Sequence, residues 1–195
     1  MHDATQALVL QQLLSVGDAA GIPVWLCGGY GLDALEGRCT RPHGDIDVFV
    51  HRDDHARFRE ALCAAGFELI TDGAYYSTFQ RLGQWVECRT HETLPDGTPV
   101  TDTGGTGVYP WPGNTFPEEP TAQLLGRPVR VISYEAQYVF KAGFQAWDPT
   151  EAPREKDLQD LELLCRRVPP TTRAALASLF DPLPGTRTRF PGQGP

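Results

Sequence analysis

Hydrophobic positions recur at helical spacing from the start of the chain. Leu10, Leu13, Leu14 and Val16 share a face behind Asp3, a residue suited to cap a helix, and Gly21 supplies a stop. Val24–Cys27 reads as a short apolar strand broken by Gly28-Gly29, and Tyr30–Leu35 as a short helix ending near Gly37. Asp45–Val50 alternates: Ile46, Val48 and Val50 take one face of a strand, and Asp45 and Asp47 the other. Asp53 or Asp54 predicts the cap of a helix carrying Phe58, Leu62 and Ala65 on one side, with Gly66 as its end. Phe67–Ile70, Tyr76–Leu82 and Trp85–Arg89 read as strands, the last two joined by a tight reversal at Leu82-Gly83-Gln84.

Residues 94–121 hold too many prolines and glycines for a regular element, and predict a long surface loop. Such a loop is either a lid or substrate wall, or an insertion without a task. Arg127–Ile132 reads as a strand, and Ser133 can cap a helix running to about Trp147. Two further helices follow, near Glu155–Arg166 and Thr171–Phe180. The order predicts an α+β protein, divided into a core over 1–132, a small C-terminal helical portion over 133–181 and a loosely ordered tail over 182–195.

Composition narrows the class. The chain has 195 residues, of which 41% are hydrophobic, so it can bury a core and is not disordered as a whole. Lys and Arg number 17 against 25 Asp and Glu, and the net charge of −8 argues against a general nucleic-acid binder. It suits a small cationic partner or a metal-bridged anion better. The five cysteines are an odd number without a C-x-x-C pair, which predicts reduced thiols rather than a disulfide framework or a zinc knuckle. The first residues read as an amphipathic helix rather than a leader, and no apolar run approaches a membrane span, so a cytoplasmic location is expected.

Two carboxylates on one strand face repel each other unless a cation lies between them, and hard oxygen donors suit Mg²⁺. Gly28-Gly29, where strand gives way to helix, lets backbone N–H groups approach a phosphate. Together these are equipment for phosphoryl or nucleotidyl transfer. Around them, Asp33 could bind an acceptor amine or support the glycine turn by hydrogen bonds. Arg41 could meet a phosphate or steady the loop before the strand, and His43 suits a hydrogen-bonding role behind the metal ligands. Lys141 could reach a triphosphate or lie along the surface. Tyr109, Trp111 and Phe116 could stack on a base or sugar, or hold their loop down.

The run Gly28-Gly29-Tyr30-Gly31-Leu32-Asp33, then Gly37, Thr40-Arg41, His43 and Asp45-x-Asp47, resembles the antibiotic nucleotidyltransferases of the polymerase-beta-like superfamily, in particular the aminoglycoside 2''-adenylyltransferase and lincosamide nucleotidyltransferase group. Tyr30 stands where that group usually has Trp. The likeness continues more faintly through Ser133–Gln137 to Lys156, Asp157 and Asp160. It implies a polymerase-beta-like core, a mixed sheet flanked by helices, with Asp45, Asp47 and Glu87 as catalytic and metal-binding acids. Glu87 would bind a second metal or take the acceptor's proton. It further implies two Mg²⁺ ions and transfer of AMP from ATP to a hydroxyl of a small molecule such as an aminoglycoside or lincosamide; the candidate nucleotide contacts are Gly28, Gly29, Arg41 and Lys141, and the candidate acceptor contacts Asp33, Tyr109 and Trp111. A site shared across a homodimer stays open. Two other readings are a toxin-like enzyme acting on tRNA or protein, and a non-catalytic nucleotide-binding protein on the same scaffold.

Overall fold

The structure, a computed structural model, describes residues 3–104, 107–147, 152 and 154–184. Asp3 accepts a hydrogen bond from the Gln6 backbone N–H at 2.8 Å and opens helix α1 (Ala4–Ala20), which Gly21 closes in the left-handed conformation. Strand β1 (Trp25–Cys27) runs directly into helix α2 (Gly28–Glu36), so the helix starts at the glycine pair and not after it. Strand β2 (Asp45–His51) leads to helix α3 (Arg52–Ala64). Its cap is His51, whose ring accepts from the Asp53 N–H, while Asp53 and Asp54 lie in the first turn. Strands β3 (Glu68–Asp72), β4 (Tyr76–Arg81) and β5 (Gln84–Thr93) follow, with Leu82 and Gly83 both at positive φ in the reversal between the last two.

The predicted loop over 94–121 contains regular structure: strands β6 (Pro99–Asp102) and β7 (Val108–Pro110) pair with each other, and β8 (Ala122–Leu124) begins just past it. Pro99 opens its strand and Pro110 closes its own, the positions where a missing N–H does least harm to a ladder. Strand β9 (Arg127–Val131) pairs with β8, and helices α4 (Tyr134–Trp147), α5 (Glu155–Arg167) and α6 (Pro170–Leu176) complete the order, with a short 3₁₀ turn over Ala177–Phe180. The expected loose tail lies almost wholly outside the described residues. Among those described, no helix is long and apolar enough to cross a membrane.

The chain separates into two compact units. The first is the chain up to His91 together with Phe116–Ile132. Its mixed sheet has the order β3-β4-β5-β2-β1-β9-β8, with β1 antiparallel to β2 and β5 parallel to β2. Leu26, Ile46, Val48, Val50, Phe79, Val86 and Cys88 leave one face and join Leu10 and Leu13 of α1 and Phe58 and Leu62 of α3 in the core. Fully burying each such side chain is worth roughly 1.5–3 kcal/mol. The alternation read from Asp45–Val50 therefore holds, and it commits the other face to different work.

The second unit is Glu92–Thr115 together with the chain from Ser133 on. Here Trp111 is buried, its indole N–H donating to Thr101 Oγ1 at 2.7 Å and its backbone N–H to the Pro99 carbonyl. Ser133 Oγ accepts from the Ala136 N–H and caps α4 as expected. Lys141 of α4 lies between Asp157 and Asp160 of α5, at 2.9 and 3.0 Å. Burial disfavours its charge, but the two carboxylates outweigh burial and raise its pKa.

In the first unit an aromatic cluster covers part of the sheet: His91 stacks on Phe116 with centroids 3.7 Å apart and meets the edge of Trp25. Among the described residues neither ring nitrogen of His91 has a hydrogen-bond partner. Burial, with a smaller push from His51, lowers its pKa to about 3. The unfolded chain takes up this proton below about pH 6.5, whereas the folded protein does so only near 3. Stability is therefore retained above 6.5 and falls as the pH drops toward 3, by at most about 1.4 kcal/mol per unit. His91→Phe keeps the stack and removes the titration. Its thermal midpoint is expected to exceed wild type at pH 5 by more than at pH 8, and equal differences at both pH values would refute this.

Candidate active site

Strands β2 and β5 lie side by side in parallel, with Asp47 in register with Glu87 and Asp45 with Trp85. Because side chains alternate, Asp45, Asp47, Glu87 and Arg89 share the sheet face opposite the core. On the other flank of β2, Asp47 is in register with Cys27, immediately before α2. The Asp47 carboxylate thus lies at a helix N-terminus, where the aligned peptide dipoles favour negative charge.

The glycine pair is shaped by these neighbours. A Cβ on Gly28, whose φ is +57°, would lie 2.3 Å from Asp47 Oδ2, and one on Gly29 would lie 2.2 Å from His43 Nδ1. Any larger residue at either position displaces the side chain beside it. Asp33, expected as an acceptor contact, is fully buried. Its oxygens accept from the Thr40 N–H at 2.7 Å, from Thr40 Oγ1 at 2.5 Å and from His43 at 2.6 Å. Burial pushes its carboxyl up, but the hydrogen bonds from His43 and Thr40 outweigh this and hold it below the usual range. Through Thr40 and His43, Asp33 holds the loop that leads to β2. His43 donates from Nε2 to Asp33, which leaves Nδ1 to accept from the Arg41 guanidinium at 3.1 Å. Arg41 also donates to the Pro42 carbonyl, so part of its fork steadies the loop.

The other expected contacts fall elsewhere. Tyr109 and Trp111 are 2% and 3% exposed, and Trp111 is tied to β6 through Thr101 and Pro99. Lys141 is engaged by Asp157 and Asp160 within its own unit. Three residues on the acidic face went unremarked in the sequence. Arg89 pairs with Glu87 at 2.6 Å and lies over the Tyr76 ring, 5.0 Å from its centroid. Trp85, beside Asp45, is 43% exposed. Strand parity was the available signal, since Trp85, Glu87 and Arg89 alternate with the buried Val86 and Cys88.

Asp45 and Asp47 offer hard oxygen donors from one rigid strand, and Gly28 leaves room for one of them. This suits Mg²⁺, which takes one or two carboxylates and completes its shell with water and phosphate oxygens. Among the described residues, the three acids do not form a group whose ligand atoms all lie within 4.8 Å of one another. Asp33, Cys39 and His43 do. That trio is a hydrogen-bonded knot, with the Asp33 oxygens taken up and the Cys39 thiol donating to the Arg41 carbonyl at 3.3 Å.

A profile of the aminoglycoside-2''-adenylyltransferase family matches residues 9–164. A 2''-aminoglycoside nucleotidyltransferase of Klebsiella pneumoniae is 27% identical over 135 residues, 69% of this chain and 71% of that protein. One from Escherichia coli is 25% identical over 134 residues, with the same two coverages. Among solved structures, the solution structure of ANT(2'')-Ia superposes with a TM-score of 0.78 at 22% identity, covering 91% of this chain and 92% of that one. A crystal structure of ANT(2")-Ia with adenylyl-2"-tobramycin gives 0.73 at 22% identity, covering 91% and 97%. The lincomycin-bound lincosamide adenylyltransferase LnuA gives 0.64 at 22% identity, covering 80% and 93%.

Proposed function

The chain belongs to the aminoglycoside-2''-adenylyltransferase family, and on that premise we propose that it transfers AMP from ATP to a hydroxyl of an aminoglycoside, releasing pyrophosphate. The observation that carries this reading is the acidic face, where Asp45, Asp47 and Glu87 stand on adjacent parallel strands, with Asp47 beside the N-terminus of α2. Asp45 and Asp47 would hold a Mg²⁺ ion, which when bound supplies charge stabilisation to the triphosphate. Glu87, next to Asp47 in register, is the third acid available to the acceptor. In the reaction the acceptor oxygen forms a bond to the α-phosphorus, the bond from that phosphorus to the β-phosphate bridging oxygen breaks, and the hydroxyl proton leaves to a base.

The chain's charge of −8 favours a polycationic acceptor by raising its local concentration near the protein. LnuA carries lincomycin, so lincosamides form the natural comparison arm. The test is pyrophosphate release from each of the four nucleoside triphosphates with Mg²⁺ and a panel of aminoglycosides and lincosamides, with the mass of the acceptor read in parallel. An aminoglycoside heavier by one adenylyl group is the expected product. Release that depends on a lincosamide alone replaces the acceptor, and the absence of product from the whole panel overturns the reading.

A further inference from the structure

We propose that Arg89 is a built-in cation of the catalytic face: its guanidinium takes the place of a second divalent ion and turns Glu87 from a metal ligand into a carboxylate held ready for the acceptor. The inference rests on the nucleotidyl-transfer reading and deepens it. Arg89 lies two residues along β5 from Glu87, on the same face, and grips its carboxylate at 2.6 Å. The contact is half-buried, with the two side chains 28% and 27% exposed, so water only partly screens it. Asp47 also acts on Arg89 electrostatically, and Tyr76, directly across from Arg89 on β4, presents its ring to the guanidinium.

Glu87 already has a cation against it, the Arg89 guanidinium at 2.6 Å. A second divalent ion at Glu87 would need to displace Arg89 or stand beside a fixed positive charge. A charge-assisted hydrogen bond from one guanidinium nitrogen of Arg89 also fixes where that Glu87 oxygen stands. One ion at Asp45 and Asp47 thus replaces the pair that the resemblance implies, and Arg89 is a positioning residue acting through Glu87.

The test counts Mn²⁺ bound to the full-length, nucleotide-free protein from the electron paramagnetic resonance signal of the free ion. Wild type is expected to bind one ion per chain, as are Glu87→Gln and Arg89→Lys. Arg89→Gln is expected to bind a second, because the freed Glu87 becomes a ligand beside Asp47. Two ions on wild type, loss of the ion in Glu87→Gln, or a single ion in a folded Arg89→Gln each overturn the proposal. Adenylyl transfer by wild type together with any of these results sinks this inference alone. Absence of both Mn²⁺ binding and transfer sinks the functional reading beneath it.

Discussion

Asp47→Asn is expected to lower the rate of AMP transfer about a thousandfold or more, a loss of about 4 kcal/mol of transition-state stabilisation, while the protein folds normally. The geometry separates the two effects. Asn has the shape of Asp, so the space that Gly28 leaves beside Asp47 Oδ2 stays filled and α2 starts where it did. The charge is lost, and with it half of the carboxylate pair that β2 presents to a metal. Stability is expected to stay within about 1 kcal/mol of wild type, because relief of repulsion among the acids offsets a weaker field at Arg89. Steady-state kinetics on the best acceptor, paired with thermal melts, check both halves. Activity within tenfold of wild type would mean that the pair is not the metal site.

The second large effect is on folding. Asp33→Ala removes an acceptor that, inside the protein, serves the Thr40 N–H, the Thr40 hydroxyl and the His43 ring. The His43 side chain, only 2% exposed, is left with a donor that cannot turn to water, and the Thr40 donors are partly buried. Breaking a buried, hydrogen-bonded pair of this kind costs about 3–5 kcal/mol. For a protein of this size the thermal midpoint is expected to fall by on the order of 10 °C. Transfer is expected to be lost as well, since Thr40–His43 feeds directly into β2, and His43 packs where Gly29 makes room for it. A shift below about 3 °C would show that the loop does not depend on Asp33.

The elements with strong local signals were legible. Asp3 and Ser133 cap the helices expected of them, and the alternation of Asp45–Val50 faces the way it reads. Residues 94–121 were not, because Pro and Gly mark both loops and the ends of short strands. Pro99 and Pro110 stand at strand termini, where a local rule cannot separate the two cases. The cap of α3 stands two or three residues before the expected Asp53 or Asp54, since His51 competes with them and all three have suitable acceptors. Tyr109 and Trp111 looked available only because a loop was expected around them. Tyr109 lies within the paired β7 and Trp111 just past it, and both are buried.

Everything that depends on near neighbours along the chain could be read from the order of residues: which side of β2 carries acid, where glycine must stand, and which family the run from Gly28 to Asp47 belongs to. Periodicity and steric demand act over a few residues, so composition and spacing suffice for these. What the chain's order left undecided is which side chains answer one another. Glu87 meets Asp47 because β5 returns beside β2 after a helix and two strands. Asp33 turns inward because Thr40 and His43 fold back over it, and Lys141 is claimed by Asp157 and Asp160 of the next helix. Charges act through space, so their partners exist only once the strands and helices have been set side by side.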